Sequence, residues 1–302
     1  MPLVPLRDSS RLYVRVLGRG QPVLMLPGLG MSSSHWLPFV LPHVARYRFY
    51  MPDFRGHGRS RELRVTQPDV FQSHAQDVQD VIAHYQLKDF LLAGISLGAT
   101  TALHLQRETA FAGVKGYLHI DQSPNVLNGP DWTHGLAGPR QGELFLHMRE
   151  ALALLAEHPD VTYFHELPRE ARVPLAATLS GLLGVLGASQ QRSGIVRRAL
   201  PHLPGRVARR VPLLRLDDMR SYLRAYSGGG HDYRPTLGSG DVPVTLMVGM
   251  NSPLYAPAGQ ELVATHARRG RVVRFERSGH APLLDEPLRF QREFARFLRG
   301  AV

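Results

Sequence analysis

Among the 302 residues of this chain, the side chains best suited to chemistry are a serine at position 96, a histidine at position 280 and a few aspartates. Ser96 is the centre of Gly94-Ile95-Ser96-Leu97-Gly98, a G-x-S-x-G pentapeptide. A serine hydroxyl is a poor nucleophile at neutral pH and needs a base to take its proton. Of the 15 histidines, His280 stands out because it follows Gly279 on a short loop between a β-like run and a helical pattern. A nucleophile and a base also need a place for the negative charge that develops during attack on a carbonyl. Backbone N–H groups in a Gly-rich turn after a strand provide one, and Pro27-Gly28-Leu29-Gly30 is such a turn. The amides of Leu29 and of Leu97, the residue after the nucleophile, are the expected oxyanion donors. The chemistry is acyl transfer.

These groups act together only if the chain brings them to one place. The apolar run 90–93 reads as a buried strand and 97–107 as the helix after it. The turn between them is sharp enough to need glycines at 94 and 98. The runs 22–26, 47–51, 114–120, 243–248 and 272–275 read as further strands. Residues 68–85 read as a helix, and 287–298 read as another, with Phe290, Phe294 and Phe297 at helical spacing. Strands alternate with helices over 1–124 and again over 236–302, the pattern of an α/β domain with a mostly parallel sheet. Between them the helical patterns 143–156, 171–186, 193–203 and 213–226 are expected to form an insertion. It is bounded by the Gly- and Pro-rich stretch 125–142 and by 227–230. The leucine, alanine and glycine content of 179–188 suits the apolar roof of a pocket as well as ordinary packing.

Four segments in order resemble the α/β-hydrolase superfamily: Pro27-Gly28-Leu29-Gly30, Asp53-Phe54-Arg55-Gly56-His57-Gly58-Arg59-Ser60, the pentapeptide around Ser96, and Gly279-His280. The resemblance spans nearly the whole chain apart from its middle. It implies the α/β-hydrolase fold, a mostly parallel central sheet flanked by helices, with 1–124 and 236–302 as the core and 125–235 as a helical cap. It also implies that Asp53 and Arg55 are scaffold residues beside the site and that His57 is structural. Pro27 stands where many relatives carry histidine, but the oxyanion contact there is made by backbone.

One departure concerns the acid. Relatives usually place it in a G-x-x-D pattern after the strand read at 243–248, and here that pattern ends in Ser252. A serine supplies no negative charge to orient the imidazole and stabilise the imidazolium. The expected substitute is Asp121, at the end of the strand 114–120, and some α/β-hydrolases do place their acid there. The plainer role for Asp121 is to cap a turn through backbone N–H groups. Asp217, Asp232 and Asp285 are weaker candidates.

Composition narrows the class. There is no cysteine, so disulfides and thiolate metal sites are excluded. The formal net charge is +11, carried almost wholly by arginine, and arginines 197, 198, 206, 209, 210, 215, 220 and 224 fall in one segment. That stretch could meet an anionic lipid or an acidic acyl carrier. It lacks the interleaved aromatics of a single-strand nucleic-acid platform, and a solvated face is the expected account. Residues 1–7 lack the apolar core of a signal peptide, and no run of 18 uncharged apolar residues occurs, so the cytoplasm is the expected location.

The expected activity is hydrolysis of a small or medium carboxylic ester through a Ser96–His280–Asp121 triad and an acyl-enzyme. The expected partner is a small-molecule ester or related acyl compound, with no nucleic acid, no membrane insertion, no metal and no organic cofactor. Serine at 96 argues against dehalogenase and epoxide-hydrolase chemistry, which uses an aspartate nucleophile in this superfamily. Alternatives on the same fold are cofactor-free perhydrolysis, as in the non-haem haloperoxidases, C–C bond or thioester hydrolysis, and a ligand-binding protein with little turnover.

Overall fold

The structure is a computed structural model that describes residues 3–65, 67–211, 214–228 and 231–300. Met1, Pro2, Thr66, Pro212, Leu213, Gly229, Gly230, Ala301 and Val302 fall within ranges read from the sequence but lie outside the described residues. Eight strands form one sheet: β1 (Leu3–Pro5), β2 (Arg11–Gly18), β3 (Gln21–Leu26), β4 (Tyr47–Pro52), β5 (Phe90–Ile95), β6 (Val114–Ile120), β7 (Val244–Gly249) and β8 (Gly270–Phe275). Their order is β1-β2-β4-β3-β5-β6-β7-β8, with β1 and β2 antiparallel to their neighbours and the rest parallel. Every residue of β5 is buried, as expected of a strand covered on both faces.

Register decides which loops meet. Leu26 pairs with Gly94, Ile95 with Ile120, and Ile120 with Met247, so β3, β5, β6 and β7 end side by side. The turn after β3, Ser96, Asp121 and the Gly249–Ser252 segment therefore emerge at one edge of the sheet. Ligand sites of open α/β sheets gather at the carboxyl ends of the strands in this way.

Helices α1 (Val70–His84) and α2 (Leu97–Thr109) pack on one another against the sheet, and α7 (Pro257–Thr265) and α8 (Pro287–Gly300) follow β7 and β8. Asp69 caps α1, its carboxylate accepting from the N–H groups of Phe71 and Gln72 at 3.0 and 3.1 Å. In α8, Phe290, Phe294, Phe297 and Leu298 form the buried stripe, and Phe290 meets Phe39 edge-on at 4.8 Å between ring centroids.

Between β6 and β7 lie α3 (Gln141–Ala156), α4 (Arg169–Val185), α5 (Gln190–Ala199) and α6 (Leu216–Gly228). The pattern at 193–203 resolves into α5, capped at its start by Ser189, followed by a 3-10 turn over Leu200–His202 that contains Pro201. Two arginines of the basic segment are structural rather than solvated. Arg215 is buried, and Arg220 donates to the carbonyls of Leu155 and His158 at 3.2 and 2.6 Å, binding α6 to the end of α3. A cation there meets the free carbonyls and the negative pole of a helix terminus. Arg197, Arg198, Arg206, Arg209, Arg210 and Arg224 are exposed.

Candidate active site

Ser96 sits between β5 and α2 with φ +51° and ψ −118°, a conformation that non-glycine residues rarely hold. Its N–H donates to the Ile120 carbonyl at 3.0 Å, which pins the turn to the neighbouring strand. The flanking glycines are a steric requirement. A Cβ on Gly98 would lie 2.2 Å from the Leu26 carbonyl oxygen, and one on Gly94 would lie 2.5 Å from the Gly98 carbonyl oxygen. The serine is partly exposed at the tip of the turn while both its sequence neighbours are buried.

The turn after β3 faces it. Met31 donates its N–H to the Gly28 carbonyl at 3.0 Å and Gly30 has φ +80°, the third-position conformation that a type II turn requires. Leu29 lies at the second position, whose N–H takes no part in closing such a turn. A Cβ on Gly28 would come within 3.5 Å of the Ser96 Cβ, so the turn and the serine are in close approach. Leu97 opens α2, where the first N–H groups have no acceptor within the helix. Both amides thus have the local backbone that frees an N–H beside Ser96.

Asp121 has the densest polar environment of the site. It is fully buried, directly follows β6 and has φ +43°. Its Oδ2 accepts from His280 Nδ1 at 2.7 Å and from the Ser252 hydroxyl at 2.7 Å. Its Oδ1 accepts from the Gly249 N–H at 2.8 Å and from Gln260 Nε2 at 3.3 Å. Four donors match the number of lone-pair sites that a carboxylate offers. The imidazole contact is therefore made by one oxygen, while the other takes a backbone N–H from the end of β7 and a side-chain amide from α7. His119 steadies the backbone here: its Nε2 donates to the Gln122 carbonyl at 2.7 Å, and its Nδ1 accepts from the Tyr117 hydroxyl at 2.8 Å. Burial lowers the His119 pKa to about 4, so this imidazole is neutral.

The other aspartates are engaged elsewhere. Asp285 accepts from the Gly279 N–H at 2.9 Å, Asp232 holds Arg234, and Asp217 pairs with Arg220 at 3.1 Å. Asp53 accepts from the backbone N–H groups of Ser33 and Arg59, and Arg55 is locked in a buried pair with Asp77 at 2.7 Å. His57 is buried, with Nδ1 on the Arg55 carbonyl at 2.8 Å, and burial holds its pKa down.

Ser96 and His280 open into one cavity of about 570 Å³, which Leu29 also lines. Its walls come from α4, α5 and α6 and from segments beside them, and they are nearly all leucine, valine, methionine and tyrosine. Sequence reasoning did not foresee the roles of Ser252, Gly249 and Gln260 around Asp121. The one available signal was Ser252 itself, standing where an acid was expected. Among the described residues no helix is long and apolar enough to cross a membrane, and no cluster of three or more His, Asp or Glu could hold a metal ion.

Comparison with known proteins places this arrangement in context. A family model described as the alpha/beta hydrolase family matches residues 23–293. A pimeloyl-[acyl-carrier protein] methyl ester esterase of Nitrosomonas europaea is 24% identical over 288 residues, 93% of this chain and 97% of that protein. A non-heme haloperoxidase of Rhodococcus erythropolis is 34% identical over 99 residues, 32% of this chain and 35% of that one. Among solved structures, an esterase from Exiguobacterium antarcticum superposes with a TM-score of 0.70 at 18% identity, covering 98% of each chain.

Proposed function

Because this chain belongs to the alpha/beta hydrolase family, we propose that it is an enzyme of ester bonds in which Ser96, His280 and Asp121 form the catalytic triad. Residues 1–124 and 236–302 form its core, and 125–235 its cap. The observation that carries the proposal is the 2.7 Å contact between His280 Nδ1 and the buried Asp121 carboxylate, at the wall of the cavity that Ser96 also lines.

With Nδ1–H donated to Asp121, the lone pair of His280 lies on Nε2. There it takes the Ser96 proton as the hydroxyl oxygen attacks the ester carbonyl. The new C–O bond converts the carbonyl oxygen to an oxyanion, which accepts from the Leu29 N–H in the turn after β3 and from the Leu97 N–H at the positive end of α2. The imidazolium formed beside Asp121 is stabilised by a fully buried negative charge, where attraction is screened less than in water. Collapse of the intermediate breaks the bond to the leaving alcohol, which takes the proton from Nε2. Water then repeats the sequence on the acyl-enzyme and restores Ser96.

A fluorophosphonate probe and steady-state hydrolysis of p-nitrophenyl acetate test this reading. The probe is expected on the Ser96 peptide alone, and Ser96→Ala is expected to bring turnover down to the buffer rate. Turnover that survives Ser96→Ala would overturn the assignment. The haloperoxidase relative motivates a second reading, perhydrolysis. In that reaction hydrogen peroxide takes the place of water in the second step and the acyl group leaves as a peracid. Peracid release from the same acyl-enzyme, measured with and without peroxide, separates the two.

A further inference from the structure

The shape and lining of the cavity at Ser96 go further than the reaction class. About 570 Å³ lies within the 300–1,000 Å³ typical of sites that enclose a whole ligand. At roughly 30 Å³ for a group the size of a water molecule, it has room for on the order of twenty chain atoms. An acetyl or propionyl ester would leave most of it unfilled. From α4 come Leu179, Leu182 and Leu183, and from the segment after α5 come Leu200 and Leu203. Among the described lining residues no Lys, Arg, Asp or Glu appears, and the only ionisable groups are His280, Tyr222, Tyr226 and Tyr255. Burial raises the pKa of all three tyrosines. The hydroxyl of Tyr222 is already engaged by His74 Nε2 at 2.8 Å. The walls therefore offer a chain dispersion contacts and apolar burial along its length, with no Lys or Arg among the described lining residues to pair with a carboxylate at its far end.

We infer that the substrate is an ester bearing one uncharged aliphatic chain of about eight to twelve carbons, held in this cavity with its ester group at Ser96. The inference rests on the serine-hydrolase reading above and deepens it. A methylene removed from water is worth up to about fourfold in binding. Where the growing chain stays inside the cavity, that gain reaches the transition state and appears in kcat/KM. A terminal carboxylate on the same chain would be buried without a cationic partner, which is strongly unfavourable.

The test uses the intact protein with three ester series. The first is p-nitrophenyl acetate, butanoate, hexanoate, octanoate and decanoate. The second is alkyl acetates of the same chain lengths, followed by proton release. The third is the mono-p-nitrophenyl ester of octanedioic acid, which carries a free carboxylate at the far end. We expect kcat/KM to rise at least a hundredfold from acetate to octanoate in the first series, or over the same range in the second. The two series tell whether the chain belongs to the acyl or the alcohol side. The octanedioate ester is expected at least a hundredfold below octanoate. Leu183→Trp, which narrows the cavity, is expected to lower the octanoate-to-acetate ratio of kcat/KM tenfold or more. Turnover of the acetate with a flat or falling profile in both series, or equal rates for octanoate and octanedioate, overturns the inference and leaves the serine-hydrolase reading intact. Absence of turnover on every ester, with Ser96 unlabelled by fluorophosphonate, removes both.

Discussion

At Asp121 the fold combines two demands on one carboxylate. Oδ1 is spent on the Gly249 N–H and the Gln260 amide, while Oδ2 is shared by His280 and Ser252. Asp121→Asn keeps the shape but places an amide where an anion should orient the imidazole, and a loss of about 10³–10⁴ in kcat is expected for p-nitrophenyl ester hydrolysis. Ser252→Ala removes one hydrogen bond to a charged group and is expected to cost about tenfold, because three donors still hold the carboxylate. The informative variant is the double one. Ser252 Oγ is 2.7 Å from the oxygen that meets His280, so a carboxylate carried from position 252 reaches the same region. Asp121→Asn with Ser252→Asp is expected to regain at least tenfold over Asp121→Asn alone, and no recovery would refute the exchange. The place of Asp121 beside His280 was legible because it follows a strand next to that of Ser96 and because the usual acid position held a serine. Its four donors were not legible. Gly249 and Gln260 come from β7 and α7, more than 120 residues away, and nothing in their local sequence announces the contact.

The end of β7 and the loop that carries His280 are packed so closely that a side chain has no room between them. A Cβ on Gly249 would lie 1.8 Å from the Gly279 carbonyl oxygen. Since Gly249 also donates to Asp121, this one position sets the spacing of two proposed triad members. Gly249→Ala must push the loop outward, and a displacement near 1 Å costs about a hundredfold in rate. The expected result is a kcat at least a hundredfold lower, together with a clear fall in Tm; full activity would show that the loop yields without harm. Strands β3 to β8 were legible because their apolar runs are bounded by turn residues. The edge strand β1 and its neighbour β2 were not singled out: Arg11, Arg15 and the short Leu3–Pro5 segment dilute the pattern, and antiparallel pairing across a turn decides them. Helices α4 and α5 were seen as helical, but the cavity they enclose depends on how they cross, which periodicity does not encode.

Over the whole molecule, buried titratable groups set the dependence of stability on pH. Burial lowers the pKa of His74 to about 3 and of His119 to about 4, both below the ordinary 6.5. The unfolded chain therefore binds protons at these positions between pH 6.5 and 4 while the folded chain does not, and stability falls as pH falls through that window. The buried Asp218, raised to about 6, acts oppositely and gains stability as pH falls below 6. From pH 7 to pH 5 the two histidines cost about 2 kcal/mol each and Asp218 returns about 1, leaving a net loss of roughly 2 kcal/mol or more. Urea unfolding at the two pH values checks this, and equal or greater stability at pH 5 would contradict it. The composition hinted at charge but not at this, since only burial sets His74 and His119, together with His57 and His104, apart from the other histidines.

The hydrogen bond between Ser252 and Asp121 joins the tips of two adjacent parallel strands, whose spacing is about 4.8 Å. A side chain of two or three bonds reaches the same spot from either tip. The imidazole of His280 is thus addressed to a location in space rather than to a particular residue number. Two positions share tenancy of that location, one holding the charge and the other holding it in place. A lineage can pass the charge from one tip to the other without moving a strand, a loop or the histidine, provided that the position giving it up keeps a donor.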